Sequence, residues 1–430
     1  MNLRDLARRI LDRAAAGDAY INLAIGRACE TLADRDRRYL TALVYGTVER
    51  RITLDYAIGS LARRSDISPG AKSLLEPALY ELFYLHTPAH AAVNAWVSLA
   101  GSAGEKSFVN GVLRAAARLG EPPLPPREKN LLRYLSVRYS VPLDTVRLLA
   151  AIFGEEIEDF LATLDAPARM TLRVNTTKIT REAYLERLLS VGIPAEPTPN
   201  APFGIRLAKT YPPKELPGFD EGLFFVQDEA SQIAVSVLSP LPGETVVDLC
   251  ACPGGKSFGA AMTMEDRGEV LSFDLHASKL SLIESGAARL GLTCIRAAEQ
   301  DGTVPLPDLL SRADRVLCDV PCSGLGVLAK KADLRYRDLS ACAELPPLQA
   351  KLLDTAASYV KPGGILLYST CTVRPEENQA VTDAFLPTHP DFFPEDFSCG
   401  ALSSQGGRLT LLPHRDGTDG FYLAKFRRKG

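Results

Sequence analysis

The chain has 430 residues, 46% hydrophobic and 23% charged, with a formal net charge of −3. That balance excludes a disordered chain and a purely electrostatic nucleic-acid binder, and the length predicts two or three domains around large cores. No apolar run is long enough to span a bilayer, and the opening "MNLRDLARRI" carries charges where an export signal would be apolar. A reducing cytoplasmic location is therefore expected, with the nine cysteines as thiols and the chain a monomer by default.

Residues 1–120 read as all helix. Apolar positions recur at three- and four-residue spacing in "DLARRILDRAAA", "RRYLTALVYGTVERRITLDYAIGSLARR" and "PGAKSLLEPALYELFYL", and strand-like alternation is absent. This part carries 16 Lys and Arg against 12 Asp and Glu, while the remainder carries 33 against 40. A mildly basic front could meet a polyanion, although charge alone favours a solvated helical face. "GEPPLPPREKN" predicts a linker over 121–130. From 131 to 220, helical patterns precede the strand-like "MTLRVNTTKI" and "IRLAKT", which predicts a small α+β subdomain.

In a last domain expected over 221–430, strands and helices alternate from 241 onward. "TVVDLC", "EVLSFDL", "TCIRAAE", "RVLCDV" and "ILLYSTC" read as strands, with helices starting near Lys256, Ala277 and Leu345. This predicts a doubly wound α/β domain with a mainly parallel sheet, a Rossmann-like architecture. In such sheets ligands bind outside the carboxyl ends of the strands. Asp248, Asp274, Asp319 and Cys371 all fall there.

The stretch "VVDLCACPGGKS" (246–257) tests three ligand types. A phosphate loop would need glycine where Cys250 stands, so that pattern fails. "GLGVLA" (324–329) is a loose dinucleotide pattern set apart from its strand. Cys250 and Cys252 lack the second close pair of a zinc site, so no metal is expected. Cys250, Cys294 and Cys318 lie in apolar strand patterns and read as core. A nucleoside cofactor fits better. Gly254 and Gly255 allow close backbone approach to a carboxylate, Asp274 can accept ribose hydroxyls, and Asp301 can accept from an adenine amine. An amino acid joined to adenosine, S-adenosylmethionine, needs those contacts.

Cys322, in "DVPCSGLG", and Cys371, in "YSTCTVRPEEN", end consecutive strands, and a helix is expected to start near Pro375. A thiolate adding to carbon-6 of cytosine turns the ring into an enamine whose carbon-5 can take a methyl group, and a nearby helix start lowers a thiol's pKa. Chemistry alone leaves open which cysteine attacks.

"DLCACPGGKS", "DVPCSGLG" and "YSTCTVRPEENQ", in this order, resemble the Sun family of RNA cytosine carbon-5 methyltransferases, and "FVQDEASQ" and "TDGFYLAKFRR" also fit its pattern. The helical front, with "ELFYLHTPAHAAVNAWVSLA" and "FVNGVLRAAAR", resembles NusB-like RNA-binding domains. The combination resembles the bacterial 16S (small-subunit) rRNA methyltransferase B branch. The resemblance implies a nucleophile at Cys371 and release of the methylated base assisted by Cys322. It implies cofactor contacts from Cys250, Ala251, Cys252, Pro253, Gly254, Gly255 and Lys256, and from Asp274, Asp301 and Asp319. It also implies RNA, 16S rRNA or its precursor, as substrate. Two positions depart from the family pattern: Cys252 stands where alanine is usual, and Ala332 where proline is usual. Rival readings are another RNA such as tRNA, a protein or DNA acceptor, or an RNA-binding module with a degenerate catalytic half. The intact cysteine pair argues against degeneracy and against protein, since nitrogen methylation needs no thiol.

Overall fold

The computed structural model describes residues 2–16, 21–30, 32–62, 66–166 and 170–430. Two compact units result: residues 1–165 with 331–337, and residues 166–330 with 338–430.

In the first unit the 1–120 region forms helices α1 (Leu3–Ala15), α2 (Ile21–Cys29), α3 (Asp34–Glu49), α4 (Arg51–Ala62), α5 (Pro69–Phe83), α6 (Ala89–Ser98) and α7 (Ala103–Leu119). Their boundaries follow side-chain chemistry. Ser68 Oγ caps α5 by accepting from the Ala71 amide at 3.3 Å, with Pro69 in the first turn. Gly120, at φ +81°, ends α7 in the left-handed region. Leu40, Leu43, Leu54, Leu75, Leu79, Trp96 and Leu113 are fully buried between the helices. Glu81 is buried with them and compensated: Arg4 Nη2 donates to it at 2.6 Å and Trp96 Nε1 at 2.7 Å.

Helices α8 (Leu131–Tyr139), α9 (Leu143–Phe153) and α10 (Ile157–Ala162) belong to this unit as well. The sequence reading grouped them with the α+β region, because helical periodicity does not say which core a helix joins. The proline-rich 121–130 stretch is tied down too, with Arg127 donating to both Glu158 carboxylate oxygens at 2.7 and 2.6 Å. Residues 331–337 are also part of this unit. There the buried Arg335 donates to the Glu49 and Leu164 carbonyls, and the Tyr336 hydroxyl to the Val48 carbonyl at 2.8 Å.

The second unit contains two main sheets. Strands β1 (Met170–Val174), β2 (Ala195–Pro197), β3 (Gly204–Leu207) and β4 (Phe224–Val226) form an antiparallel sheet in the order β2-β3-β1-β4, with α11 (Arg181–Ser190) packed against it. Strand β4 closes this sheet by pairing Leu172 with Val226, so the small sheet runs past the boundary at 220 expected from sequence.

The large sheet is built from β5 (Thr245–Asp248), β6 (Glu269–Asp274), β7 (Ile295–Glu299), β8 (Ala313–Asp319) and β9 (Val360–Thr370), all mutually parallel in the order β9-β8-β5-β6-β7. Strand β10 (Phe392–Pro394), the short hairpin β11 (Ser398–Cys399) and β12 (Leu402–Ser403), β13 (Arg408–Leu411) and β14 (Phe421–Arg428) follow. Of these, β14 adds antiparallel to β9, with β10 and β13 along its other side. Val246 packs with α12 (Glu229–Leu238), α13 (Gly255–Thr263) and α14 (Ala277–Leu290). Its neighbour Val247 packs with α15 (Leu345–Tyr359) and α16 (Gln379–Thr388). Successive strand residues face opposite sides, so helices cover both faces of a Rossmann-like sheet. Among the described residues no helix is long and apolar enough to cross a membrane, and no group of His, Cys, Asp and Glu is placed to hold a metal ion.

Candidate active site

The loop from β5 to α13 turns at Gly254, whose φ of +105° and whose missing Cβ both matter: a Cβ there would lie 2.5 Å from the Phe258 ring. The Gly254 amide donates to the Ala251 carbonyl at 2.6 Å, and the Ala251 amide to the Phe273 carbonyl at 2.7 Å, which pins the turn to β6. Residues Cys250 to Pro253 thus lie across the strand end, and no side chain caps the first amides of α13. Beneath the turn, Ser257 Oγ donates to Asp248 Oδ2 at 2.7 Å and Ser272 Oγ to Ser257 Oγ at 2.9 Å. Burial raises the Asp248 carboxyl to about 6, against the hydrogen bond from Ser257.

Asp274 ends β6, and its Oδ1 accepts from the His276 amide at 3.0 Å. Asp301, after β7, accepts from the Thr303 amide and hydroxyl at 2.9 and 2.7 Å, and those bonds hold its carboxyl below the ordinary value. Cys252 Sγ donates to the Lys279 carbonyl at 3.4 Å. Burial, with help from Asp274, pushes its thiol up to about 11, so this departure from the family pattern is not an ionised thiol at neutral pH. An uncapped helix start behind a left-handed glycine, with carboxylates at the next strand ends, has the donors and acceptors for an amino-acid carboxylate and a ribose diol. The residues present fit S-adenosylmethionine.

The two cysteines meet. Strands β8 and β9 are parallel neighbours with Asp319 opposite Ser369, and the loops beyond them bring Cys322 Sγ to 3.2 Å from Cys371 Sγ. Further bonds lock the loops together: Ser323 Oγ to Thr372 Oγ1 at 2.7 Å, and the Gly326 amide to the Cys371 carbonyl at 3.0 Å. The hydrogen bond to Cys371, burial and the nearby Cys371 and Glu377 charges hold the Cys322 thiol well above its ordinary pKa. Lys256, at the start of α13, reaches the same place: its Nζ donates to Asp319 Oδ2 at 2.6 Å, and Ser369 Oγ donates to Asp319 Oδ1 at 2.6 Å. Burial would lower the Lys256 pKa, but Asp319 and, more weakly, Asp248 and Cys371 raise it overall. The ammonium is a fixed positive charge that acts weakly on Cys371.

One expectation is corrected. The helix after Cys371 begins at Gln379, not near Pro375. Residues 375–378 form a turn in which Thr370 Oγ1 donates to Asn378 Oδ1 at 2.6 Å and Asn378 Nδ2 to the Thr372 carbonyl at 3.0 Å. These side-chain bonds compete with helix formation. The helix start thus lies further from Cys371 along the chain than expected. Sequence reasoning also passed over Glu377, Gln349 and the cluster in which Lys330 pairs with Asp228 and Asp419. Glu377, Asp228 and Asp419 lie within the motif stretches quoted above, the only signal that could have pointed to them.

Known proteins match this chain over its full length. The profile of the family "16S rRNA methyltransferase RsmB/F" matches residues 235–427, that of the NusB family residues 1–118, and that of an RsmF/B-like ferredoxin-like domain residues 145–213. A probable ribosomal RNA small subunit methyltransferase B from Synechocystis sp. is 38% identical, with all of both chains covered. Its counterpart from Bacillus subtilis is 37% identical, covering 100% of this chain and 99% of that one. Among solved structures, that of PH0851 superimposes with a TM-score of 0.80 at 27% identity, covering 99% of this chain and 98% of that one.

Proposed function

This chain belongs to the family of ribosomal RNA small subunit methyltransferases B, and from that membership we propose that it methylates carbon-5 of a cytosine in 16S rRNA through a covalent bond to Cys371. The observation that carries the proposal is the 3.2 Å contact between Cys322 and Cys371, with the Lys256–Asp319 pair at the adjacent strand ends. When bound, S-adenosylmethionine supplies an electrophilic methyl group.

Cys371, as thiolate, adds to carbon-6 of the cytosine and forms a C–S bond, which makes carbon-5 nucleophilic. Asp319, held by Lys256 and Ser369 with its side chain a quarter exposed, supports recognition of the base by accepting a hydrogen bond from it. After carbon-5 has taken the methyl group, its proton passes to solvent water, the carbon-5–carbon-6 double bond re-forms and the C–S bond breaks. The sulfur leaves as a thiolate, and the Cys322 S–H is positioned to donate to it. The same donation lowers the cost of ionising Cys371 at the outset. The Cys250–Lys256 turn, Asp274 and Asp301 hold the cofactor in this reading, and the NusB-like and ferredoxin-like regions meet the RNA.

The test uses full-length protein, radiolabelled cofactor and a 16S rRNA transcript. Cys371→Ala abolishes methylation and leaves cofactor binding intact. Cys322→Ala accumulates an RNA-dependent, methyl-labelled slow band on a denaturing gel, and the double variant loses it. A trapped adduct in Cys371→Ala but not in Cys322→Ala would reverse the two roles.

A further inference from the structure

We infer that Glu377 and Gln349 form a buried bracket that fixes Cys322 through the peptides on either side of it and keeps the proton on its thiol, so that release of the methylated base depends on both. The inference rests on the proposed role of Cys322 in release.

Both side chains are fully buried. Glu377 Oε2 accepts from the Ser323 amide at 2.9 Å and from Gln349 Nε2 at 3.0 Å. Gln349, on α15, also donates from Nε2 to the Pro321 carbonyl at 2.9 Å. Pro321 and Ser323 flank Cys322, so one carboxylate–amide pair holds the chain immediately before and after the thiol. Glu377 belongs to the turn that follows Cys371, and its carbonyl accepts from the Tyr368 hydroxyl of β9 at 2.6 Å. The bracket thereby references both thiol loops to one buried point, and α15 braces it from outside them.

The charge matters beyond the hydrogen bonds. A glutamine at 377 could accept the same two bonds, so positioning alone needs no carboxylate. A buried carboxylate is costly unless paired. Here the cation nearest Glu377 Oε1 is Arg374 Nη1 at 3.5 Å, within ion-pair range but too long for a hydrogen bond. Negative charge left beside a thiol opposes its ionisation. Among the described residues, titratable groups around Cys322 include Cys371 beyond β9, Tyr368 within β9 and Glu377 after it, with Arg374 on the same turn. Lys256 and Asp319 pair with each other at the adjacent strand ends. Glu377 and Lys256 thus carry opposite charges next to a pair of chemically identical thiols.

The experiment compares full-length wild type, Glu377→Gln and Gln349→Leu. Alkylation of Cys322 by iodoacetamide is followed against pH by peptide mass, and release by decay of the covalent enzyme–RNA band in a single turnover. In E377Q the alkylation midpoint should fall by about one pH unit, equivalent to about tenfold faster labelling on the acid side. Its band should decay several-fold more slowly. In Q349L release should slow while the midpoint stays at or above that of wild type, because the charge remains. A wild-type midpoint in folded E377Q overturns the electrostatic half, and wild-type release in Q349L overturns the positional half. Should E377Q fail to fold, Q349L still decides the latter, and the Cys322 midpoint in Glu377→Asp decides the former by staying high as long as charge is what counts. If E377Q shifts the midpoint but Cys322→Ala traps no adduct, the bracket stands and the role of Cys322 in release falls.

Discussion

Replacing Lys256 with methionine tests whether this side chain serves the thiols and the base or only the cofactor. Methionine keeps much of the stem but removes the ammonium that lies 2.6 Å from Asp319 and 5.4 Å from the Phe421 ring centroid. The Lys256 and Asp319 side chains are only 14% and 25% exposed, so water replaces little of what is lost. Loss of a charged hydrogen-bond partner costs about 1.5–3 kcal/mol, a factor of about 10 to 150 in rate if the interaction acts in the transition state. The pH dependence has a definite sign. Lys256 is held protonated beyond its ordinary range, so in the wild type its charge is constant across neutral pH. Without it a Cys371 thiolate has lost its cation, and the acid limb of the rate should move to higher pH. The deficit is then largest in acid and narrows as pH rises. The assay is single-turnover methyl transfer to a 16S rRNA transcript at saturating cofactor over the neutral range, with cofactor affinity measured by calorimetry. A loss of less than about threefold with an unshifted profile, or a loss that saturating cofactor restores, would refute the reasoning and leave Lys256 as a cofactor contact alone.

Two further substitutions probe the scaffold. Asp248 has its folded pKa raised to about 6 by burial, so the folded state binds a proton more tightly than the unfolded chain does. Its favourable contribution is complete below the unfolded value and lost as pH rises through about 6; Asp248→Asn should therefore stabilise the protein at pH 8 by up to about 3 kcal/mol, with the gain vanishing near pH 4. Equal melting temperatures at pH 8 would count against an ionised, buried Asp248. Gly326→Ala places a Cβ 2.0 Å from the Gly420 carbonyl oxygen, backbone against backbone, where no side chain can move aside. It should cost about 1–3 kcal/mol of stability and slow methyl transfer through the Cys322 loop; wild-type rate and melting temperature would show that the two loops part freely.

Much of the second unit was legible because its strands are short apolar runs ending in acids and turns. The strand ends Asp248, Asp274, Asp319 and Cys371 fall at one edge of the sheet once the strands are parallel neighbours. Helical periodicity over 131–165 was legible too, but not the core it joins, since three- and four-residue spacing records only that one face is apolar. The turn after Cys371 was misread because proline and two glutamates resemble a helix start, whereas Asn378 spends its side chain on Thr370 and Thr372. The strands β10 to β13 are too short for alternation to reveal. Glu377, Gln349, Lys330, Asp228 and Asp419 matter through partners far away in sequence, and only the folded chain brings these together.

Two thiols 3.2 Å apart form one titrating unit, because ionising the first opposes ionising the second. Nothing in two identical side chains says which sulfur holds the proton when one is ionised. The surroundings break the symmetry. Lys256 acts on Cys371, and Glu377 acts on Cys322. The same split suits both ends of the proposed reaction. At the start, an S–H donated by Cys322 makes a Cys371 thiolate cheaper, and at the end it receives that thiolate as the leaving group. An enzyme that attacked with Cys322 would need the opposite polarity, a cation at Glu377 and no ammonium near Cys371. The proposed polarity is one that a single charge-removing substitution can test.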